Sequence, residues 1–583
     1  GHFLKLMILE CPLTTNTPTI ANITKTEARS THGMVATKDI HSTEAGLEML
    51  EQNGNAIDAA VAACFAVGVV EPASSGIGGG GYLVFEVDGK GGVIGFPMRG
   101  PLNSKPDMYE LTGEPTVGNF GWAEVVNSDN LEGYRSIATP GTVAGLCEAH
   151  RRLGKLPLKE VVAPAVRLAR NGFSPGWHNI YSLGTQADKL FKYQELRRVF
   201  MPGGGLPIGD VSSPSIVKQP ELADVLELIG SKGPSAFYKG EVARAIVADI
   251  QSNGGILTER DFAEYKPFAW DDGLEFDYRG HTVRVPPFAC AGTTSAMTLK
   301  VLNGFDIRSM GHNSAKMLHA YIYSARMANA DRFKYLADPE FADVPWDGLV
   351  SSGYAKLRRS EINPKQLQEI AAGDPWEYEG RKPRKVLASS APALDTGTTH
   401  LCVIDSDGNG VSLTNTIMSG FGSGIIPKGS GVVMNNGMMW YDPIPDRVNS
   451  IMPGKFPLNN MTPALVLTND GVKVAVGASG GRRITNCVTQ LIIKMVDFGM
   501  GPQESIDSPR VDCSLSTTSV DPRVGSNVLE TLESMGHRLH RIGNENLQTG
   551  FASFASPVAI IRESKQSFAG GVDTFHSAHA QGL

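Results

Sequence analysis

Apolar residues recur along the first two thirds of the chain with two different spacings. A spacing of three to four residues predicts helices at 42–52, 55–70 and 317–335. Residues 82–87 and 283–287 form short apolar runs close to glycine or proline, which is typical of strands. Segment 55–70 is apolar on every side, so we expect its helix to be buried all round.

Beyond residue 396 the pattern changes from long helices to paired strands. Alternating runs joined by turn sequences that end in Asp-Gly predict two hairpins, at 399–416 and 464–476. A helical pattern follows at 484–498. Helices with strands first, then hairpins and a helix, predict an α+β fold built in layers.

The chain ends and loops are polar. Residues 1–32 predict a poorly ordered lead-in, and residues 373–396 predict an exposed loop. The apolar run at 3–9 is short and contains Lys5, so it does not predict a signal peptide, although a leader removed by processing stays open. Because no run of roughly 18 apolar residues occurs, we expect no membrane span and a cytoplasmic protein.

Composition excludes several classes of partner. With 41% hydrophobic and 19% charged residues the chain is globular, and its net charge of −7 gives no basic surplus for nucleic acid. The seven cysteines form no CxxC pair, which favours buried free thiols. The 13 histidines form no HExxH motif, so we expect neither a metal nor a cofactor.

The most informative polar segment is the junction of Gly397 and Thr398, where the loop runs into a predicted strand. A threonine hydroxyl is a poor nucleophile unless a base lies beside it. Cleavage after Gly397 would give Thr398 a free α-amine with a pKa of roughly 7.7–8.0, so nucleophile and base would belong to one residue. Glycine also tolerates the distorted peptide that such a self-attack requires.

Motifs along nearly the whole chain resemble the γ-glutamyltranspeptidase superfamily. They occur in the right order, and they are Ala56-Ile57-Asp58-Ala59-Ala60-Val61, Val70-Glu71-Pro72 with Gly78 to Gly81, Pro140-Gly141-Thr142-Val143-Ala144-Gly145, Gly254-Gly255, Thr398-Thr399-His400, Asn435-Asn436, Met461-Thr462-Pro463 and Gly480-Gly481. The resemblance implies the αββα sandwich of an N-terminal-nucleophile hydrolase. It also implies a large subunit at 33–397 and a small subunit at 398–583, cut from one precursor, with a homo-oligomer left open.

The same resemblance assigns roles near the nucleophile. By position, Thr416 resembles the second threonine whose hydroxyl supports the nucleophile, and Gly480 and Gly481 resemble the glycines of an oxyanion hole. Backbone N–H donors in such a hole are commonly worth ~3 kcal/mol each. The simpler alternatives are an ordinary strand threonine and a plain turn before the helix at 484–498.

The positions that read the substrate depart from the family pattern. Members usually carry an arginine directly after the aromatic residue that ends a strand, where this chain has Pro97, with Arg99 two residues on. The paired serines before Met-Thr-Pro are replaced by Asn459 and Asn460. We expect Arg99 and both asparagines to bind a carboxylate on the acyl group.

A second departure follows Asn436. Members of the family usually have a glutamine and then an aspartate that holds the substrate α-amine, and this chain has Gly437 and Trp440 at those places. An indole cannot replace a carboxylate as the partner of an ammonium group, except weakly by cation–π contact. We therefore expect a pocket for a small-molecule amide whose acyl group needs no α-amine.

Three functions are carried forward from the sequence. The first is an acylase-like amidohydrolase or acyltransferase that works through an acyl-Thr398 ester. The second is a true γ-glutamyl transferase or glutathione hydrolase, against which the altered pocket argues. The third is an inactive member that acts as a binding protein, against which the intact residues Gly397, Thr398, Thr416, Gly480 and Gly481 argue.

Overall fold

The computed structural model describes residues 24–113, 123–210, 212–271, 273–390, 397–542 and 554–583. The strands among them are β1 Ala28–Ser30, β2 Gly33–Thr37, β3 Gly80–Val87, β4 Lys90–Phe96, β5 Phe268–Asp271, β6 Leu274–Tyr278, β7 His281–Val285, β8 Gly397–Asp405, β9 Gly410–Met418, β10 Ala464–Thr468, β11 Gly471–Ser479, β12 Val511–Asp512, β13 Thr518–Val520, β14 Leu539–Arg541, β15 Ser556–Ser564, β16 Ser567–Val572 and β17 His579–Gly582.

The α-helices in the same ranges are α1 Ile40–Glu51, α2 Ala56–Val70, α3 Thr142–Leu153, α4 Leu158–Asn171, α5 Trp177–Thr185, α6 Ala187–Lys192, α7 Gln194–Phe200, α8 Pro220–Lys232, α9 Ser235–Tyr238, α10 Glu241–Ser252, α11 Glu259–Ala263, α12 Ala291–Leu302, α13 Ile307–Met310, α14 Ala315–Tyr335, α15 Trp346–Leu349, α16 Ser352–Ser360, α17 Arg483–Asp497, α18 Pro502–Asp507 and α19 Ser526–Ser534.

Two antiparallel seven-stranded sheets form the centre of the molecule. One has the strand order β17-β2-β8-β9-β3-β4-β5, and the other has the order β1-β16-β15-β11-β10-β7-β6. A third, three-stranded sheet contains β12, β13 and β14. The pairing of β17 with β2 therefore brings residues near the start and the end of the chain into the same sheet.

The apolar core confirms the predicted four layers. Along β8, Leu401 and Val403 belong to the core that contains α2, whereas Cys402 and Ile404 belong to the core between the two sheets. This division follows from the alternation of side chains along a strand. A third core joins the β11 sheet to α12, α14 and α17, so the order of layers is helices, sheet, sheet, helices.

Helix α2 follows most directly from its sequence pattern. The side chain of Asn55 accepts from the N–H groups of Ile57 and Asp58, and the Asp58 carboxylate accepts from the Asn55 N–H, which forms a capping box. Nearly all of the helix is buried, as its uniformly apolar sequence predicts. The predicted hairpins are also confirmed, as β8–β9 and β10–β11.

The predicted lead-in needs a correction at its end. Residues 28–30 form β1, which pairs with Gly570, Ala569 and Phe568 of β16. The ordered chain thus begins before residue 33, because these residues complete the edge of a sheet. Residues 1–23 and the loop residues 391–396 lie outside the described residues.

Six cysteines fall within the described ranges, and all six are buried free thiols, as their sequence spacing predicts. Cys11 lies outside those ranges. None of the helices that the structure describes has the length and apolar character needed to cross a bilayer.

Candidate active site

The β8–β9 hairpin places Thr398 and Thr416 side by side. Gly397 pairs with Met418 and Thr399 pairs with Asn415, and the ladder is irregular between these pairs. The Oγ1 atom of Thr398 lies 3.2 Å from Oγ1 of Thr416 and 2.5 Å from the carbonyl oxygen of Gly397.

The hydroxyl of Thr416 donates to the Gly397 carbonyl oxygen. The same hydroxyl oxygen accepts from the backbone N–H of Met418 at 2.9 Å, which orients it. Met418 has a φ of 84°, a backbone conformation that costs energy for a residue other than glycine. The end of β9 is therefore bent in a way that directs a donor at the carbonyl of the Gly397–Thr398 peptide.

Gly480 and Gly481 lie at the same end of the sandwich as Thr398. A Cβ on Gly477 would lie 2.1 Å from the ring of His400, and one on Gly410 would lie 2.8 Å from the Val472 side chain. The start of β11 is thus stacked over the start of β9, and the end of β11 over the start of β8. Because the two glycines follow β11 directly, they lie near Thr398.

The backbone of these two glycines has an unusual conformation. Their φ angles are 129° and 65°, and a Cβ on Gly480 would lie 2.8 Å from Cα of Ala555, so glycine is required there for two reasons. Within the described residues neither N–H donates to a backbone carbonyl. Both precede α17, whose N-terminal end favours negative charge. The turn and the anion-binding interpretations are therefore both compatible with the geometry.

The Arg99 side chain is hydrogen-bonded to the C-terminal end of α11. Its guanidinium donates to the carbonyl oxygens of Asp261 and Glu264 at 3.1 and 3.3 Å and lies over the ring of Tyr265. These carbonyls belong to the last turn of α11 and the residue after it, where a cation is favourable. The structure therefore assigns the Arg99 side chain contacts that stabilise α11, and two of its three nitrogens are occupied there.

Asn459 and Asn460 are both buried but make different contacts. The Asn459 amide donates to the carbonyl of Ala289 at 2.8 Å and to the hydroxyl of Tyr82 at 3.2 Å. Oδ1 of Asn460 accepts from Arg332 at 3.0 Å, and Arg332 also donates to the Asn459 carbonyl at 2.6 Å. Arg332 holds this pair, and sequence reasoning missed it, because no motif marks a single arginine on a long helix.

The turn that contains Gly437 and Trp440 lies close to Gly397. Ser419 donates through its N–H to Oδ1 of Asn436 at 3.1 Å and through its hydroxyl to the sulfur of Met439 at 3.2 Å. A Cβ on Gly397 would lie 2.9 Å from the carbonyl carbon of Ser419. One residue thus separates this turn from Gly397.

The two substituted positions in this turn are tightly packed. Trp440 is only 1% exposed and belongs to the core between the sheets. A Cβ on Gly437 would lie 2.8 Å from Cβ of Ala138 and 3.1 Å from Cβ of Met98. Glycine at position 437 therefore allows the turn to pack closely against Ala138 and Met98. The indole of Trp440 fills space in the core between the sheets.

Glu71 and Thr399 form a second contact that sequence reasoning missed. Oγ1 of Thr399 donates to Oε2 of Glu71 at 3.2 Å, and both side chains are buried. Burial raises the pKa of Glu71 to about 8, although the nearby charge of Lys38 opposes this shift. The only sequence signal is that Glu71 lies in Val70-Glu71-Pro72, one of the motifs on which the family resemblance rests.

Comparison with known proteins agrees with this geometry. Residues 42–583 match the family model described as gamma-glutamyltranspeptidase. The chain belongs to the gamma-glutamyltranspeptidase family. It is 35% identical over 520 residues to a glutathione hydrolase proenzyme of Bacillus subtilis subsp. natto, covering 87% of this chain and 85% of that protein.

Two further relatives of this protein are acylases. The acylase ACY 1 proenzyme of Pseudomonas sp. strain SE83 is 33% identical, with 90% of each chain covered. The crystal structure of a cephalosporin acylase from Bacillus halodurans superposes with a TM-score of 0.82 at 26% identity, covering 99% of both chains. The protein is thus an N-terminal-nucleophile enzyme acting on amide bonds, with the fold of its family.

Proposed function

We propose that this enzyme cuts its own chain after Gly397 and then hydrolyses or transfers an acyl group through an ester on Thr398. One observation carries the proposal. The Thr398 hydroxyl lies 3.2 Å from the Thr416 hydroxyl, and the latter donates to the carbonyl between the two proposed subunits. Nucleophile, supporting hydroxyl and scissile carbonyl are thus in direct contact.

Self-cleavage begins when Oγ1 of Thr398 attacks the carbonyl carbon of Gly397. The C–N bond breaks, the hydroxyl proton passes to the nitrogen of Thr398, which leaves as an amine, and an ester joins Gly397 to the threonine oxygen. Water then hydrolyses this ester to give the carboxylate of Gly397 and a free Thr398. The donor from Thr416 stabilises the oxygen of Gly397 as it becomes negative.

The catalytic cycle repeats this chemistry on a substrate amide. The α-amine of Thr398 takes the hydroxyl proton as the oxygen attacks the substrate carbonyl. The N–H groups of Gly480 and Gly481 stabilise the tetrahedral oxyanion. The proton passes to the leaving amine, and an acyl-threonine ester remains. Water then releases the acid, or an acceptor amine takes the acyl group.

The substrate proposal rests on the turn after Asn436. Trp440 offers no charge where an α-ammonium would need one, and it follows Met439, whose sulfur accepts from Ser419 beside Gly397. An unpaired ammonium in such surroundings loses its hydration without compensation. We therefore propose an acyl group without an α-amine, as in a glutaryl amide.

The far end of the acyl group is proposed to be a carboxylate. Nδ2 of Asn459 is used within the protein, whereas in the Asn460 side chain only Oδ1 takes part in the hydrogen bonds of the described residues. The amide N–H of Asn460 is therefore the donor best suited to that carboxylate. Arg99 contributes to the site indirectly, because its guanidinium donates to carbonyl oxygens in and just after α11 and so holds that helix in place.

The second candidate is true γ-glutamyl transfer. The observation that favours it is the similarity to glutathione hydrolase proenzymes, at 35% identity for the Bacillus subtilis subsp. natto protein. Both candidates share the subunits 33–397 and 398–583 and need neither metal nor cofactor. We keep a cytoplasmic location as a prediction of the sequence.

The decisive experiment is Thr398→Ala. We expect a single uncut chain without activity, because no hydroxyl attacks and no α-amine is released. Thr398→Ser should still cut at the same bond, and Thr399→Ala should do so as well, which separates the two adjacent threonines. Denaturing gels and intact-mass measurement of the fragments report the cleaved bond. A Thr398→Ala chain that is cut after Gly397 would contradict the proposal.

A further inference from the structure

Thr399, the residue after the proposed nucleophile, is held on the other face of β8. Side chains alternate along a strand, so Thr399 points towards the layer of α2 while its neighbours point between the sheets. Its hydroxyl donates to Oε2 of Glu71 at 3.2 Å. Thr399 is 1% exposed and Glu71 is 4% exposed, so water does not compete for this bond.

Thr398 itself lies in an irregularity of the β8–β9 ladder. The register passes from the pair Gly397–Met418 to the pair Thr399–Asn415. After cleavage Gly397 is no longer attached, and Thr398 becomes a chain terminus. Termini are poorly ordered unless they are tied down. Thr399 is then the first regularly paired residue, and its contacts determine where the nucleophile lies.

Glu71 lies in a turn that also holds the end of β9. It follows α2 directly, and its N–H donates to the carbonyl of Val67. Two residues further on, the carbonyl of Ala73 accepts from the N–H of Phe421 at 2.9 Å, and that of Ser74 accepts from Ile417 at 3.3 Å. The turn therefore contacts the strand of the nucleophile through Glu71 and the strand of Thr416 through its backbone.

A carboxyl group at this position is costly. It is buried at the C-terminal end of α2, where the helix dipole disfavours negative charge. Burial raises its pKa to about 8. A polar group that is removed from water destabilises a protein unless its hydrogen bonds are replaced. An apolar residue would fit α2 and its core better, which indicates that Glu71 does more than fill space.

An alternative is that Glu71 merely neutralises Lys38. The Lys38 amine, however, donates to the hydroxyl of Ser556, and Ser556 donates to Asp573 at 2.9 Å. After desolvation, the charge of Asp573 has the largest effect on the pKa of Lys38, ahead of Glu71. Lys38 thus has a closer partner in Asp573, whereas Glu71 accepts from Thr399 at Oε2 and has Nδ1 of His178 3.8 Å from Oε1.

We propose that Glu71 is a positioning residue, which fixes the N-terminal nucleophile by accepting the hydrogen bond of Thr399. The proposal rests on the function proposed above. It predicts a specific dependence: any residue that can accept at position 71 and any hydroxyl at position 399 should suffice. Loss of either partner should displace Thr398 from the substrate carbonyl without altering the pocket that binds the acyl group.

The test uses the mature enzyme and four variants. Glu71→Leu and Thr399→Val each remove one partner at nearly constant volume, while Glu71→Gln and Thr399→Ser keep an acceptor and a hydroxyl. Rates are measured with a glutaryl anilide and expressed per mole of mature Thr398 N-terminus. We expect kcat to fall about tenfold to a hundredfold in the first two variants with little change in KM, because displacement of a reacting group by ~1 Å can cost that much. The last two should recover to within a few-fold of wild type.

Two controls separate positioning from general damage. Thr298→Val removes another buried hydroxyl, which donates to a backbone carbonyl within α12 in the opposite helix layer, and should leave kcat unchanged. The double variant Glu71→Leu/Thr399→Val should be no slower than either single variant, because both remove the same bond. Variants that do not mature are compared by the rate at which their purified precursors cut themselves, with the same order expected.

Three results would overturn the inference. These are a kcat within twofold of wild type for Thr399→Val, losses that Glu71→Gln and Thr399→Ser do not recover, and a double variant whose loss is the product of the single losses. Failure of the proposed function itself looks different, since Thr398→Ala would then retain activity. The two failures are therefore distinguishable in the same assay.

Discussion

The carbonyl oxygen of Gly397 accepts a hydrogen bond from the hydroxyl of Thr416, a residue 19 positions further along the chain. The donor is thus aimed at the atom that acquires negative charge when the peptide is attacked. After cleavage the same hydroxyl remains 3.2 Å from the oxygen of Thr398 if the hairpin keeps its geometry. One side chain can then serve both the maturation and the turnover of the enzyme.

Removing that donor should slow maturation. We expect Thr416→Val to reduce the rate of self-cleavage by roughly a hundredfold to a thousandfold, the usual effect of losing one oxyanion donor. Valine keeps the β-branched shape that suits a strand, so the hairpin should persist. The measurement follows the disappearance of the single chain on denaturing gels after rapid purification.

Thr416→Ser is the matched control for this prediction. Serine retains the hydroxyl and should cut within about tenfold of wild type, since the N–H of Met418 still orients the oxygen. Equal cleavage rates for the valine and wild-type chains would show that the contact to Gly397 has no role in maturation.

Substrate preference should follow the loss of the ammonium-binding carboxylate. We expect kcat/KM for a glutaryl anilide to equal or exceed that for the matching γ-glutamyl anilide. The two compounds differ only in the α-amine, which would enter the pocket without a counter-charge. A γ-glutamyl preference of roughly a hundredfold, about 2.7 kcal/mol, would favour the glutathione hydrolase candidate instead.

Trp440 provides a direct test of this preference. Trp440→Asp should shift the ratio of the two kcat/KM values towards the γ-glutamyl compound. Because Trp440 is 1% exposed, Trp440→Phe accompanies it to show what loss of packing alone does. An unchanged ratio in the aspartate variant would mean that this position does not adjoin the acyl group.

Chelators should leave the activity of the mature enzyme unchanged. Within the described ranges, no group of three or more His, Cys, Asp or Glu side chains is arranged to hold a metal ion. The proposed chemistry uses only a hydroxyl, an amine and backbone donors. Activity that disappears with a chelator and returns with a divalent ion would require another mechanism.

The buried carboxyl of Glu71 should make stability depend on pH. Its pKa is raised from 4.5 to about 8 by burial, so the folded chain keeps a proton that the unfolded chain releases. The stabilisation is therefore complete below about pH 4.5 and is lost as the pH rises to about 8. The Glu71→Gln variant has no carboxyl group at this position and therefore lacks this pH dependence.

The corresponding measurement compares urea unfolding of Thr398→Ala with that of Thr398→Ala/Glu71→Gln, both as uncut chains. The unfolding free energy of the first should decline relative to that of the second between pH 4.5 and 8, and the difference should level off above. Lys38, Asp39 and His178 lie near Glu71 and are present in both chains. Parallel profiles over this range would show that Glu71 is ionised in the folded protein.

The local sequence pattern predicted many helices and hairpins of the fold, because each of these elements depends on the spacing of residues within it. The apolar sequence of 55–70 and its Asn55 cap identify α2, and the Asp-Gly turns identify both hairpins. The proposed cleavage site at Gly397 and Thr398 could likewise be predicted from the sequence, because its chemistry requires adjacent residues. In each case the decisive interactions span few positions in sequence.

The remaining site features depend on contacts between distant segments. Glu71 meets Thr399 across 328 positions, and Arg332 meets Asn459 across 127. Arg99 shows the converse, since the sequence predicts a substrate ligand there, and only the fold shows that its guanidinium also donates to a carbonyl of α11. The spacing of residues in a single sequence does not show which distant residues come into contact.

The sheet that contains β8 has a consequence for the life of the enzyme. Its order, β17-β2-β8-β9-β3-β4-β5, interleaves strands from both sides of the Gly397–Thr398 bond. A cut there would leave two polypeptides that share one sheet and cannot part without dismantling it. Unfolding of the precursor is a unimolecular event that can reverse, whereas the cut enzyme would have to find its other half by diffusion. Maturation would thus turn folding into a step that each molecule completes once.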